Sequence, residues 1–138
     1  MSSLIRFGVS LDKSLLEAFD ALIRSKGYSN RSEALRDLIR EELVRREWME
    51  GKVVAGTITF VYDHHTRELT GKITSLQHDA GDIVISTQHV HLDHHNCLEV
   101  IVVKGAPKEV EKLASRIKAT RGVKHCLLSM TTTGKHLT

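Results

Sequence analysis

The sequence has little of several residue types that mark particular classes of protein. It contains two cysteines and one proline among 138 residues, and 41% of its residues are hydrophobic. Two cysteines cannot build a disulfide framework, and this composition is not that of a disordered tail. No apolar run reaches the roughly 18 residues that suggest a membrane span, and the start of the chain carries Arg6 instead of the apolar stretch of a signal peptide. We therefore predict a cytoplasmic protein that forms one domain or two small ones.

Charge of one sign is not in large excess either. Lysine and arginine number 20 against 17 acidic residues, and the net charge of +3 permits a nucleic-acid partner without requiring one. Histidine, by contrast, is abundant: the chain has nine, and most of them lie between His64 and His125. Because histidine is the commonest metal ligand, this interval is where a metal site is expected. The two thiols, Cys97 and Cys126, are candidates for a ligand, a nucleophile or core packing.

The chain begins with a short strand followed by two helices. Residues 5–11 alternate between apolar and other side chains, which predicts a half-buried strand. Its apolar face consists of Ile5, Phe7, Val9 and Leu11, and its other face of Arg6, Gly8 and Ser10. The first helix is expected to open at Asp12 or Ser14 and to end at Gly27, and Asn30 is expected to cap the second. A lone strand leaves backbone donors unpaired, so we expect two copies of the chain to form one antiparallel ribbon above four helices.

This first segment resembles the ribbon-helix-helix family of DNA-binding dimers. The residues that carry the resemblance, after the alternating strand, are Gly27, Tyr28, Asn30, Arg31, Ser32 and Glu33. An unrelated helical dimerisation segment is the alternative. We expect this domain to span residues 1–48 and residues 48–52 to act as a linker.

The remainder of the chain, residues 53–138, has a different pattern. Apolar runs and turn residues predict strands at 53–62, 83–91, 97–103 and 124–130, and helices at 67–78 and 107–121. The order strand, helix, strand, strand, helix, strand is that of the ferredoxin-like fold, which small regulatory ACT-type domains share. The predicted fold class is therefore α+β, with a ribbon-helix-helix module followed by an ACT-like βαββαβ domain. Because such folds serve many functions, the site has to decide among them.

A candidate metal site lies within this second domain. His89 and His91 are two residues apart on one strand, so both imidazoles project from the same face. The chain then turns and returns with Cys97, which lies near His91 across the hairpin, on a face that depends on the register. His78, at the end of the preceding helix, is the best candidate for a fourth ligand. The alternative is that the two histidines are solvated strand positions and that Cys97 is a core thiol.

Three imidazoles and one thiolate suit borderline divalent ions. A planar geometry would favour Ni(II) or Cu(II) and a tetrahedral one Zn(II), and the spacing leaves both open. Asp79 and Glu99 are close in sequence to the predicted ligands. Either could act as an acid or base, or orient a ligand imidazole. Four protein ligands leave no position for a substrate, so we expect a sensor and not an enzyme. The histidines interpreted as solvated are His64, His65, His94, His95, His125 and His136, and Cys126 is interpreted as a buried thiol.

Three other functions remain as alternatives. A small zinc-dependent hydrolase or deaminase-like enzyme could use Glu99 as its proton carrier, although the Cys-x-x-Cys and His-x-Glu patterns of such deaminases are missing from the sequence. A ribbon-helix-helix regulator whose second domain binds an amino acid is another. The third is an antitoxin-type dimer without an effector, in which the second domain would have no function.

The two modules together resemble the NikR family of nickel-responsive transcriptional regulators. The resemblance extends from about Ile5 to Met130. It rests on the joint occurrence of the ribbon-helix-helix pattern with Gln77-His78, His89-Val90-His91 and Cys97-Leu98-Glu99. It implies a repressor that binds palindromic operators of nickel-uptake genes when Ni(II) is bound. It also implies a homotetramer with a ribbon-helix-helix dimer at each end, and one square-planar Ni(II) per chain, held by His89, His91 and Cys97 of one subunit and His78 of a neighbouring subunit.

The same resemblance implies which residues contact operator DNA. The outward-facing ribbon positions are Arg6, Gly8 and Ser10. This family commonly has hydroxyl-bearing residues at the second and third positions, and Gly8 departs from that pattern, so base readout has to depend on the other two; arginine suits bidentate contact with guanine. Asn30 and Arg31, at a helix start, are expected to anchor phosphates. A second cation position of the family corresponds to Glu33 and Asp37.

Overall fold

The computed structural model describes residues 3–138, and the chain divides into two compact units. One unit comprises the chain up to Leu43 together with His136–Thr138, and the other comprises Val44–Lys135. Residues 1 and 2, the start of the predicted first domain, lie outside the described part.

The first unit contains two helices, α1 at Lys13–Lys26 and most of α2 at Arg31–Met49. α1 ends at Gly27 as the sequence predicts. Gly27 has a left-handed φ of 77°, which a residue without Cβ adopts at little cost. Asn30 caps α2, because its Oδ1 accepts the backbone N–H of Glu33 at 2.9 Å. Both helix boundaries therefore follow from the turn chemistry between them.

Side-chain contacts link α2 to α1 and to the turn between the two helices. The guanidinium of Arg31 donates from Nε and Nη2 to the two carboxylate oxygens of Asp20, at 2.9 Å each. This hydrogen bond lowers the pKa of Asp20, so the carboxylate stays ionised at neutral pH. Close by, the hydroxyl of Tyr28 donates to Asp37 Oδ2 at 2.7 Å. The start of α2 is thus tied to α1 by an ion pair and to the preceding turn by a hydrogen bond from Tyr28.

The predicted strand at residues 5–11 is not formed within one chain. Residues 3–12 belong to no helix or strand, and the side chains of Ile5, Phe7 and Val9 are 80%, 71% and 61% exposed. The physical reason is that a strand exists only through backbone hydrogen bonds to a neighbouring strand, and no other described segment pairs with these residues. The alternation is present in the sequence, but it does not bury an apolar face within the chain.

The second unit is a four-stranded antiparallel sheet with two helices packed against it. Its strands are β1 (Val54–Asp63), β2 (Val84–His91), β3 (Asn96–Gly105) and β4 (Val123–Thr131), and its helices are α3 (Leu69–Asp79) and α4 (Pro107–Ala119). The strands lie in the order β2-β3-β1-β4, and a short 3₁₀ turn precedes β2. The predicted βαββαβ order is confirmed, and the ends of each element differ from the predicted ones by at most two residues.

The core of this unit lies between the sheet and its helices. Every second residue of β1 and β3 is buried, which is the alternation of a sheet covered on one face. The largest of the fully buried side chains are Tyr62, Phe60, Ile58, Leu69, Ile73, Ile101 and Ile117. Cys97 and Glu99 share the core-facing side of β3 and are buried with them. A thiol and a carboxyl group are therefore placed under the helices at one end of the core.

The predicted linker at 48–52 is wrong at its start. α2 continues through Met49, and Trp48 is only 8% exposed because it packs in the core of the second unit. Its indole Nε1 donates to the backbone oxygen of Thr131 at 2.8 Å. The ring packs against Gly56, where a Cβ would lie 2.5 Å from the backbone oxygen of Ser129 on the neighbouring strand, so this position has no room for a side chain. Trp48 therefore has a structural role that its charged sequence surroundings did not reveal.

Candidate metal centre

The register of β2 against β3 places the predicted ligands on one face of the sheet. His91 lies directly opposite Cys97, and His89 directly opposite Glu99. Residues opposite each other in an antiparallel pair project from the same face. Both imidazoles therefore share the face of the buried Cys97. The predicted common face of the histidines is confirmed, and the register that the sequence left open places the thiol beside them.

The distance between His91 and Cys97 suits a metal centre, and the His89 ring lies beside that of His91. His91 Nδ1 lies 3.3 Å from Cys97 Sγ, and the rings of His89 and His91 have centroids 5.2 Å apart. Cys97 is fully buried, and this burial raises the pKa of its thiol, with further contributions from the carboxylates of Asp63, Asp93 and Glu99. Without a cation the sulfur therefore carries a proton, and a metal ion would replace that proton.

Glu99 organises the polar side chains around His89. Its Oε1 lies 3.4 Å from His89 Nδ1 and accepts a hydrogen bond from the Tyr62 hydroxyl at 3.3 Å, and the same hydroxyl lies 3.2 Å from His89 Nδ1. Burial, followed by the charge of Glu99, raises the pKa of Tyr62, so the phenol remains a neutral donor. Because Nδ1 of His89 faces these partners, its Nε2 is the nitrogen available to a metal.

The second carboxylate oxygen of Glu99 connects this network to α3. Gln77 Nε2 donates to Glu99 Oε2 at 2.6 Å, and Thr87 Oγ1 donates to Gln77 Oε1 at 2.9 Å, which fixes the direction of the amide. The end of α3 is thus tied to the strand that carries His89. Asp79 and Glu99 were the two carboxylates expected near the site, and Glu99 contacts the predicted ligand His89.

His78 is not brought to the other predicted ligands within the chain. It lies exposed in the last turn of α3. Gln77 points to Glu99, and the next residue of a helix projects about 100° further round the axis. His78 therefore faces away from the centre of its own chain, and its role as the fourth ligand stays a prediction.

His64 was missed by reasoning from the sequence, which assigned it to solvent. Its Nδ1 lies 3.0 Å from Cys97 Sγ, and its ring centroid is 5.0 Å from that of His91. Ligand atoms of His64, His91 and Cys97 all lie within 4.8 Å of one another. Burial lowers the pKa of His64, with smaller effects from the neighbouring histidines His65 and His91, so its ring is neutral and can act as a ligand.

The reason His64 was missed is that its position depends on sheet order. β1 pairs with β3 so that Tyr62 lies opposite Cys97 and Asp63 opposite Asn96. The residue that follows β1 therefore lies at the thiol. A histidine directly after a predicted strand is a usable signal only once that strand is known to be the neighbour of the strand that bears the cysteine.

The residues predicted to contact DNA lie in the first unit. Arg6, Gly8 and Ser10 are exposed in the segment that precedes α1. Asn30 and Arg31 lie at the start of α2, where Asn30 caps the helix and Arg31 is bound to Asp20. Among the residues of the proposed second cation position, Asp37 accepts the Tyr28 hydroxyl, while Ser29 donates to Glu33 Oε2 at 3.1 Å.

No helix within residues 3–138 is long and apolar enough to cross a membrane.

Family models match both parts of the chain. Residues 5–46 match the ribbon-helix-helix proteins of the copG family, and residues 55–131 match the domain described as the NikR C terminal nickel binding domain. The fold and the site thus define a ribbon-helix-helix protein that carries a metal-binding α+β domain, and the predicted fold class is confirmed.

Curated relatives narrow this class to one family. A protein of Syntrophus aciditrophicus is 54% identical over 135 residues, covering 98% of this chain and 98% of its own. One of Chlorobium limicola is 57% identical and covers 97% of this chain and 100% of its own, and one of Chlorobaculum parvum is 59% identical and covers 94% and 97%. Each bears the name nickel-responsive regulator. This chain belongs to the family of nickel-responsive regulators, which is a family of regulators and not of enzymes.

Proposed function

We propose that the protein is a nickel-responsive transcriptional repressor that binds palindromic operators of nickel-uptake genes when Ni(II) is bound. The observation that carries this proposal is the convergence of His89, His91 and Cys97 on one face of the sheet, in a domain of a nickel-binding family. The first unit supplies the means to bind DNA, since it matches the ribbon-helix-helix family. A regulator that binds chromosomal operators acts in the cytoplasm, which is where we place this one.

The ion would be held by His89, His91 and Cys97 together with His78 of a neighbouring subunit, one per chain. The donor set fits the ion, because imidazole nitrogens and a thiolate suit Ni(II). Two features of the chain support the assignment. The His89 ring is already held at Nδ1 by Glu99 and Tyr62, and Cys97 is buried where a thiolate needs a cation beside it. When bound, the ion supplies a fixed link between the ligands of the two chains.

The position of His78 agrees with a role toward a neighbouring subunit. It is exposed on α3, and the preceding residue Gln77 ties α3 to Glu99 and through it to His89. Gln77 and Glu99, which orient His89, thus also hold α3, the helix whose His78 would be offered to a neighbouring chain. We propose that metal binding and the placement of α3 are coupled through Gln77.

The segment before α1 is suited to a two-stranded ribbon formed with a second copy. Its apolar side chains are exposed in one chain, and pairing with the same segment of a partner would bury them against the helices. The opposite face would present Arg6, Gly8 and Ser10 to the major groove, where arginine can read guanine. Asn30 and Arg31 lie at a helix N-terminus, whose backbone donors attract phosphates.

We propose a homotetramer in which a central core of second units carries a ribbon-helix-helix dimer at each end. The face of the sheet turned away from its helices has exposed apolar side chains that an interface would cover, among them Val90 and Leu127. Two dimers on one core bind two half-sites at once only in a suitable relative placement. A nickel ion that links chains favours that placement. Coupling of this kind is typically about 1 to 3 kcal/mol, or roughly 5- to 150-fold in DNA affinity.

The test is selection of duplexes from a random-sequence library by the full chain, with and without Ni(II). We expect palindromic half-sites separated by whole helical turns to be enriched only with nickel. The Arg6→Ala variant should bind the selected duplex more weakly by about 1 to 3 kcal/mol and random DNA almost as well as the wild type. Enrichment that does not depend on nickel would contradict the proposal, and an equal loss on random DNA would reassign Arg6 to phosphate contact.

A further inference from the structure

A second group of metal-ligating side chains lies outside the thiolate centre, at the end of the sheet. It consists of Asp63, the last residue of β1, His65 in the turn that follows, and His95 in the connection between β2 and β3. One ligand atom of each lies within 4.8 Å of the others, and His65 Nδ1 is 3.4 Å from Asp63 Oδ1. None of these residues belongs to the site proposed for nickel.

Backbone hydrogen bonds hold the two turns that carry this group. The N–H of His64 donates to the carbonyl oxygen of His95 at 3.2 Å, which ties one turn to the other. Asp63 Oδ1 accepts the N–H of His65 at 2.9 Å, and Asp93 Oδ1 accepts the N–H of His95 at the same distance. The three donors are therefore brought together by the fold itself and not by long flexible side chains that meet by chance.

The donor chemistry suits a borderline divalent ion. The hydrogen bond from the His65 N–H lowers the pKa of Asp63, with a smaller effect from the charge of Lys124, so the carboxylate is ionised at neutral pH. Hydrogen bonds from Asn96 and His95 lower the pKa of the neighbouring Asp93 to about 2, which adds a second negative charge. Two imidazoles and one carboxylate are ligands that first-row ions such as Zn(II), Ni(II) and Cu(II) accept, whereas Mg(II) and Ca(II) prefer oxygen ligands alone.

The exposure of the group indicates an open site. The side chains of His65 and Asp63 are 50% and 30% exposed, so water can complete the coordination of an ion. The His94 ring, whose centroid is 5.3 Å from that of His65 and 4.9 Å from that of His95, is near enough to serve as a further donor. Three protein ligands with open positions describe an exchangeable site and not a closed structural one.

We propose that Asp63, His65 and His95 form a second, solvent-open site for a first-row divalent cation. The proposed nickel centre and this outer site share no ligand, so both can be filled in one chain. His64 lies between them, since its ring centroid is 4.0 Å from that of His65 while its Nδ1 is 3.0 Å from Cys97 Sγ. The inner centre offers a thiolate and the outer site only two imidazoles and a carboxylate, so the inner centre fills first, and the charge of its ion then weakens binding at the outer site.

The test uses Ni(II) alone as the probe, added to the full chain while heat and absorbance are followed together. The thiolate-to-nickel absorbance reports the inner centre, and the heat counts every ion bound. We expect the wild type to bind a second equivalent after the thiolate band has reached its plateau. A double variant, His65→Ala with His95→Ala, should bind one equivalent with an unchanged thiolate band. The matched control, His125→Ala with His136→Ala, removes two exposed histidines elsewhere and should still bind two.

A gentler variant guards against loss of structure. Asp63→Asn keeps an oxygen that can accept the His65 N–H and removes only the charge. The second equivalent should then bind at least roughly tenfold more weakly, since loss of even an outer partner costs a metal site that much. The proposal is overturned if the wild type stops at one equivalent while showing the thiolate band, or if the His65 and His95 variant binds as many equivalents as the wild type. It does not depend on the proposed function, because a missing thiolate band would contradict the inner centre alone.

Discussion

Glu99 offers the sharpest test of how the nickel centre is held. The carboxylate is 6% exposed and contacts three groups: His89 Nδ1 at 3.4 Å, the Tyr62 hydroxyl at 3.3 Å and Gln77 Nε2 at 2.6 Å. Glu99→Gln keeps the size of the side chain, but it removes the charge and turns one acceptor oxygen into an NH₂ group. That group then faces either the amide of Gln77 or the ring of His89, so one of these partners loses its acceptor.

The expected loss of nickel affinity can be estimated from what a hydrogen-bonding partner of a ligand imidazole contributes to a metal site. Loss of a group that orients a ligand imidazole costs about 10- to 100-fold in metal affinity, or about 1.4 to 2.8 kcal/mol. We expect Ni(II) affinity to fall by that factor while the stoichiometry and the thiolate band persist, because no ligand has been removed. Competition with a chelator of known affinity measures the change, and a thermal melt checks that the variant is folded.

A matched control is Glu111→Gln, which neutralises an exposed carboxylate on α4. It should leave nickel affinity unchanged. If Glu99→Gln binds Ni(II) as tightly as the wild type, the network of Glu99 does not orient His89 for the ion, and the reasoning about the site is refuted.

Three further predictions concern proton release, ligand choice and packing. Because burial raises the pKa of the Cys97 thiol and the ion binds thiolate, nickel affinity measured between about pH 7 and pH 8 should rise about tenfold per pH unit; a flat profile would exclude the thiolate. His78→Ala should weaken nickel binding more than about 100-fold and His64→Ala far less, and the reverse order would place His64 in the ligand set. Gly56→Ala puts a Cβ 2.5 Å from the Ser129 oxygen and should cost about 1 to 3 kcal/mol in urea denaturation, whereas equal stability would contradict the packing.

Much of the second unit could be predicted because its signals are local. Apolar alternation fixes which residues of β1 and β3 face the core, and the two-residue spacing of His89 and His91 fixes their common face. The pairing of His91 with Cys97 needed the hairpin register, which the sequence leaves undecided between two faces. Once the register is known, the thiol and both imidazoles follow without further assumptions.

The features that sequence reasoning missed depend on long-range pairing. His64 reaches Cys97 only because β1 is the neighbour of β3, and Trp48 is buried only because α2 continues into the core of the second unit. The strand at residues 5–11 is expected to form only with a second copy, so a single chain leaves this segment without a hydrogen-bonding partner. Local sequence patterns predict helices and strands. Which side chains meet in a site depends on which helices and strands become neighbours in the fold.

The measurement that tests the central claim most directly is the absorption spectrum of the full chain during titration with Ni(II). We predict a thiolate-to-nickel charge-transfer band that saturates at one ion per chain and disappears in both Cys97→Ser and His89→Ala, but not in His136→Ala. A wild-type spectrum without that band, or a band that survives loss of Cys97, would contradict the assignment of His89, His91 and Cys97 as the nickel-binding centre.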